Sequence, residues 1–269
     1  MIRNACQMGL GNVHLQSGRC VLIFWIMFLV LINPIVSAGA SEKSARDIIK
    51  SAIETYRGEK SYSEAEMIIH RPTWERSMAM KVWTEGVDKS LVRVVSPKKD
   101  AGNGNLLVDG KMWSYSPKIN RVIKIPSSMS QQSWMGSDFS NNDIARADDL
   151  IDRYEHKLIA TEKHEGKVVY VIESIPHDDA PVVWGKEIVK IRSDNVILEH
   201  SLYDQEGVLA KVLKTEEVRN ISGRSVATIQ RMRRVDVENE WTEIRLKKID
   251  FNISLSSNMF TLTRLRNPQ

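Results

Sequence analysis

The chain has 269 residues and a formal net charge of only +4, with basic and acidic residues interspersed, which excludes a nucleic-acid stripe. That length suits one large domain or two small ones, with ample core and no need of cross-links. Its two cysteines, Cys6 and Cys20, both precede the predicted mature start, so thiol catalysis and cysteine-metal sites drop out for the mature protein.

Residues 1–40 read as a secretory signal peptide. Arg3 and Arg19 are their only charges, Cys20–Ile32 is an uninterrupted apolar run, and Asn33-Pro34 ends it. The alternative is an uncleaved membrane anchor, but the run is shorter than the about 20 residues a spanning helix needs. Val36-Ser37-Ala38 and Ala38-Gly39-Ala40 place small residues where a signal peptidase reads, so the expected N-terminus is Gly39 or Ser41. The expected location is the periplasm.

Ser41–Tyr56 is predicted as a helix, capped by Ser41 or Ser44, with Ile48, Ile49, Ala52, Ile53 and Tyr56 on one face and Gly58 as its stop. Strands are expected at Ala65–His70, Arg76–Thr84 and Lys89–Val95. In the second of these, Met78, Met80 and Val82 share a face. A core accommodates such a face, and so does a cavity that must fit flexible chains of varied shape.

Leu106–Val108 and Lys111–Ser116 form a predicted hairpin across Asp109-Gly110, with Met112 and Ser114 on one face and Trp113 and Tyr115 on the other. Arg121–Ile125 follows. Residues 127–140 are rich in Ser, Gln and Gly yet carry Met129, Trp134, Met135 and Phe139. A polar loop has no local element in which to hide such side chains, so they plug a core or face an apolar partner. Gly136 supplies hinge freedom. Asp138 is expected to accept backbone hydrogen bonds near the start of the next helix, where a negative charge is favoured. That helix is predicted over Asn142–Tyr154, capped by Ser140 or Asn142, with Ile144, Ala147, Leu150, Ile151 and Tyr154 as its apolar stripe.

From His156 onward the chain reads as antiparallel β. Strands are predicted at Lys167–Ile175, Lys186–Arg192, Val196–Tyr203, Val208–Glu217, Ser225–Val237 and Glu240–Ile253, separated by turn signals such as Glu165-Gly166 and Ser222-Gly223. In the last strand Ile244 and Leu246 precede Lys247-Lys248, and Ile249, Phe251 and Ile253 resume on the other parity, which marks a bulge. Asn258–Leu262 reads as a short closing segment.

Catalysis finds no footing. None of the six histidines pairs at zinc spacing, and Gly136-Ser137-Asp138 is not a nucleophile elbow. No phosphate-cradling glycine loop and no calcium loop is present, so neither a cofactor nor a metal is expected.

The pattern Leu107-Val108-Asp109-Gly110-Lys111, then Trp113, Tyr115 and Pro117, followed by Met135-Gly136-Ser137-Asp138-Phe139-Ser140, resembles the LolA-like outer-membrane lipoprotein-sorting proteins, in particular the branch with the Gly-Ser-Asp-Phe loop. The likeness continues through His200–Gly207 and Met259–Thr263. It implies a mainly β fold with few helices, in which a curved antiparallel sheet forms a half-open barrel closed by helices. Residues 41–269 would then be one carrier domain, a monomer and not an enzyme.

The implied cargo is an acylated lipoprotein or lipid moved towards the outer membrane, with an inner-membrane exporter and an outer-membrane acceptor as partners and no nucleic acid. A sensor of the same fold that binds a protein partner is the alternative, as is a lipid shuttle serving an exporter. Candidate lipid-binding residues are Met78, Met80, Val82 and Leu91 on the strands and Trp113 in the hairpin. Met129, Trp134, Met135 and Phe139 in the loop join them, with Ile144 and Ile151 on the helix. The loop side chains are expected to sit in the barrel mouth when it is empty and to move aside when it is full. The family's better-known carriers latch their lid with an arginine just before a proline; at that point this chain has Thr84-Glu85-Gly86, with Arg76 and Arg93 nearby.

Overall fold

The computed structural model describes residues 43–145, 149–180 and 182–267. The signal peptide, its cleavage site, a Ser41 cap and Ala147 lie outside these residues.

Helix α1 (Ala45–Arg57) starts where Ser44 caps it: the Asp47 amide donates to Ser44 Oγ at 3.1 Å, and Ser44 Oγ donates back to the Asp47 carboxylate at 2.7 Å. It stops at Gly58, whose φ of +68° is easy only for glycine and whose amide donates to the Glu54 carbonyl at 2.8 Å. Six strands then follow: β1 (Lys60–Arg71), β2 (Trp74–Glu85), β3 (Lys89–Ser96), β4 (Gly104–Val108), β5 (Lys111–Ser116) and β6 (Arg121–Ile125). Each pairs antiparallel with the one before it. The Asp109-Gly110 turn has both φ values positive, +49° and +68°, as a two-residue hairpin requires.

The chain then leaves the sheet. After a single 3-10 turn at Ser127–Met129 it runs through α2 (Asn141–Ala145) and α3 (Asp149–Asp152). It returns as β7 (Tyr154–His164), β8 (Lys167–Pro176), β9 (Lys186–Arg192), β10 (Ile197–Tyr203), β11 (Leu209–Ile221), β12 (Arg224–Arg234) and β13 (Trp241–Phe251). The last of these pairs antiparallel with β1. The result is one 13-stranded sheet in the order β6-β5-β4-β3-β2-β1-β13-β12-β11-β10-β9-β8-β7. The edges β6 and β7 do not pair, so the barrel stays open, as expected from the sequence, and residues 126–153 connect one edge to the other.

Two fillers occupy the concave side. Under one half, α1 packs Ile48, Ile49, Ala52 and Ile53 against Leu150, Ile151, Tyr154, Ile172, Val189 and Ile191. Under the other half, Trp134 packs with Met67, Ile69, Met78, Met80, Val92, Val94, Leu107 and Met112. On the convex side, Leu91, Leu106 and Tyr115 are covered by Met259 and by Leu265 of α4 (Leu262–Arg266). Gly104 lets α4 approach, because a Cβ there would lie 3.0 Å from Arg93 Nη1 and 3.1 Å from Leu265 Cδ1. Burial lowers the pKa of the Arg93 guanidinium, which donates to the carbonyls of Gly102, Arg264 and Leu265.

The expected bulge is present. Glu64 pairs with Lys248 but Ala65 pairs with Leu246, so Lys247 is the extra residue and Ile249 turns back to the interior. Elsewhere the structure departs from the predicted elements. Within the span expected as one helix, Asn142–Tyr154, the described residues form α2 and α3, residues 146–148 lie outside the described ones, and Tyr154 opens β7 instead. Its hydroxyl reaches Glu187 Oε1 on β9 at 2.5 Å, a long-range bond that helical periodicity does not register. Strand β7 is exposed along nearly its whole length, so it carries no burial alternation to read. Strand β1 starts five residues before the predicted Ala65, because Ser61 and Ser63 face the interior and interrupt the apolar alternation that marks a strand.

Candidate functional site

Residues 133–140 fold into a narrow hairpin. Ser133 bridges to Ser140, and the Trp134 amide donates to the Phe139 carbonyl at 2.7 Å. Met135 (φ +54°) and Gly136 (φ +80°) turn the tip. This geometry drives Trp134 and Phe139 inward, where only 3% and 7% of each remains exposed. The indole N–H, which must find an acceptor once buried, donates to Asn105 Oδ1 at 3.0 Å.

Asp138 anchors the hairpin to the sheet. Its carboxylate takes two bonds from Arg71, at 3.1 and 3.0 Å, and a third from Thr242 Oγ1 at 2.7 Å. Its amide donates to the same Thr242 oxygen at 2.9 Å, and Lys211 Nζ donates to its carbonyl at 2.9 Å. Only 2% of the Asp138 side chain is exposed, so the forked arginine sits where charge pairing is strongest. The expectation that Asp138 serves the following helix is thereby corrected. Ser140 and Asp143 do that instead, as a reciprocal cap: the Asp143 amide to Ser140 Oγ at 3.1 Å, the Ser140 amide to Asp143 Oδ2 at 2.7 Å. Arg71 is the latch that sequence reading missed. It is the last residue of β1, and its partner lies 67 positions on, so no local pattern joins them.

Between sheet, α1 and hairpin lies a cavity of about 310 Å³. Ala65, Met80, Val82 and Val92 form one wall and Ile244, Leu246 and Ile249 the other; Ile53, Ile197 and Leu213 face them. Trp134, Phe139, Asp143 and Ile144 bound one end. The other end is bounded by Tyr56, Arg57, Ser61, Ser63, Thr84 and Ser90. A smaller adjoining cavity of about 160 Å³ shares Ile53, Phe139, Asp143, Ile197 and Leu213 with it. That one contains Tyr154, Glu187 and His200, with Glu187 bonded to both partners at 2.5 Å. Burial, and then the Glu187 carboxylate, push the Tyr154 phenol far above its ordinary range, so it stays a proton donor.

Of the predicted residues, Met80, Val82, Trp134, Phe139 and Ile144 line the larger cavity together. Met78 lies on the same face, fully buried in the layer around Trp134. Met135 packs on that layer half-buried and Met129 is half-buried outside the cavity lining. Leu91 and Trp113 belong to the opposite face of the sheet, beneath α4, and Ile151 packs against α1. The Leu91 parity was not readable, because Leu91-Val92-Arg93-Val94-Val95 is apolar at both phases except for Arg93, which is itself buried. The hydroxyl-bearing residues were missed because Ser and Thr near strand ends look like ordinary turn chemistry.

A family model described as "Uncharacterized protein" matches residues 86–267. Among solved structures, a domain from Vibrio parahaemolyticus named for outer membrane lipoprotein sorting is 23% identical, with a TM-score of 0.73 over 83% of this chain and 98% of that one. A DUF1329 family protein from Desulfovibrio piger is 27% identical, with a TM-score of 0.74 over 82% of this chain and 97% of that one. A LolA superfamily protein from Nitrosomonas europaea is 22% identical, with a TM-score of 0.68 over 82% of this chain and 99% of that one. No curated protein matches the chain.

Proposed function

This chain belongs to the family matched over residues 86–267 and folds as LolA-like lipoprotein-sorting proteins do, and from that premise we propose that it is a periplasmic carrier that holds an acyl chain in its interior cavity. Residues 1–40 direct its export as a cleaved signal peptide. The cargo is an acylated lipoprotein or a lipid on its way to the outer membrane, and the protein performs no chemistry on it. An exporter in the inner membrane and an acceptor in the outer one are its partners.

The observation that carries this reading is the cavity itself, about 310 Å³ of space walled by aliphatic side chains inside a sheet that does not close. A cavity bounded in this way loses contacts on every inner surface, so it stands at a cost until filled. An acyl chain recovers about 0.8 kcal/mol for each methylene moved out of water. The volume lies at the low end of ligand sites, roughly 300–1,000 Å³, which fits one chain and not several in this conformation.

The test is equilibrium binding of a fluorescent fatty acid. Met80→Glu puts an unpaired charge on the cavity wall, where burying it is costly. The wild type binds the probe, and a folded Met80→Glu loses at least ten-fold in affinity. A folded Met80→Glu that binds as tightly as wild type removes the cavity from consideration as the acyl site.

A further inference from the structure

Charge is close to balanced over the chain and far from balanced over the fold. Residues 89–137 and 252–267 contain ten Lys and Arg against two carboxylates, Asp100 and Asp109. The chain totals only +4, so everything else in it sums to a negative charge. The structure brings these two segments together. The first supplies β3 to β6, and the second ends in α4, which covers Leu91, Leu106 and Tyr115 on the convex side. Asp100 is already taken by Arg76, at 3.0 Å, and Asp109 stands at the opposite end of β4 from the loop that carries Asp100.

Three parts make up this surface, and each is fixed to the next. Loop 97–103 carries Lys98 and Lys99, the β5–β6 turn carries Lys118, and α4 carries Arg264 and Arg266. The buried Arg93 guanidinium ties the loop to α4 by donating to the carbonyls of Gly102, Arg264 and Leu265. Arg266 Nε ties α4 to the turn by donating to Asn120 Oδ1 at 3.1 Å. Loop and turn abut at Gly102, where a Cβ would lie 3.1 Å from Pro117 Cγ. Lys124 extends the surface along the edge strand β6, in register with Trp113 beneath α4. Among the described residues, no carboxylate pairs with any of these six cations. Apolar side chains protrude between them. Ile119, at the tip of the turn beside Lys118, is 59% exposed, and Leu262, at the start of α4, is 46% exposed.

Six like charges held on one face without carboxylate partners repel one another, so the arrangement costs stability unless an anion meets it. We propose that this face docks on the anionic surface of a lipid bilayer, with the cations at the phospholipid phosphates and Ile119 and Leu262 dipping below them. Cations grouped around protruding aliphatic side chains suit a membrane interface, where the charge and the apolar contact are both satisfied. A nucleic acid would use the cations and stacking aromatics, and it gives exposed aliphatic tips nothing to enter. The acyl cavity lies on the concave side of the sheet and this face on the convex side, so the two sites are separate. The docking surface therefore stands whether or not the cavity holds an acyl chain.

The experiment is sedimentation of the mature protein with large vesicles, either of phosphatidylcholine alone or of phosphatidylcholine mixed equally with phosphatidylglycerol, at about 0.1 M salt. The protein binds the mixed vesicles at least ten-fold more tightly than the neutral ones. The triple variant Lys98→Gln, Lys99→Gln, Lys118→Gln binds them about 100-fold more weakly, at roughly five-fold for each cation near an anionic leaflet. Ile119→Ser weakens binding about three-fold and leaves its salt dependence in place. Urea unfolding checks that both variants fold. A protein that ignores the mixed vesicles, or that binds them as tightly after the three lysines are neutralised, overturns the proposal. Unchanged vesicle binding by Ile119→Ser, together with equally tight binding of polyglutamate or duplex DNA by the wild type, assigns the face to a soluble polyanion and overturns it as well. None of these outcomes bears on whether the cavity takes a fatty acid.

Discussion

The two ends of the cavity are closed by different physics. At the hairpin end the closure is charged and buried: Arg71 forks onto Asp138, Thr242 completes the carboxylate, and the Trp134 indole is tied to Asn105. At the α1 end it includes a Ser61–Thr84 hydroxyl pair and arginine bonds to turn carbonyls. A buried ion pair costs much to break on one side, because the abandoned charge stays in a poor solvent. A hydroxyl or a carbonyl near a turn finds water when its partner leaves. The difference makes the hairpin end, with its buried ion pair, the one more costly to open.

The largest effect that tests this contrast is at Arg71. Arg71→Met leaves Asp138 buried without its cation and destabilises the protein by about 3 kcal/mol. Urea unfolding measures it; a loss below about 1 kcal/mol places the hairpin among loosely held loops and removes the asymmetry. Thr84→Val probes the other end and has a smaller effect. It deletes one hydroxyl from the Ser61–Thr84 pair and costs about 1 kcal/mol, the net worth of a typical hydrogen bond. If Thr84→Val costs as much as Arg71→Met, the α1 end is as firmly closed as the hairpin end and the contrast between them fails.

The parts of this architecture that local sequence could show are those with local causes. The Asp109-Gly110 turn, the Ser44 cap, the Gly58 stop and the parity switch at Lys247 each depend on a few adjacent residues, and each is present. Met80, Val82, Trp134, Phe139 and Ile144 were identifiable as apolar groups in need of cover, and they meet at one cavity. The latch was not readable, because Arg71, Asp138 and Thr242 come from three distant segments that only the closed register of β1 and β13 brings together. Leu91 and Trp113 were assigned to the wrong face for a related reason. In strands buried on both sides, alternation no longer separates inside from outside, and α4 covers the outer side here. The row of Ser61, Thr84 and Ser90 escaped notice because it runs across three strands and not along any one of them.

The central claim is that this cavity holds one acyl chain, and native mass spectrometry of the mature protein with stearic acid tests it most directly. The account predicts a species one fatty acid heavier than the free protein, saturating at one per chain, and reduced in Met80→Glu. A protein that stays at its free mass in excess acid, or that takes up several acids equally well in wild type and Met80→Glu, contradicts it.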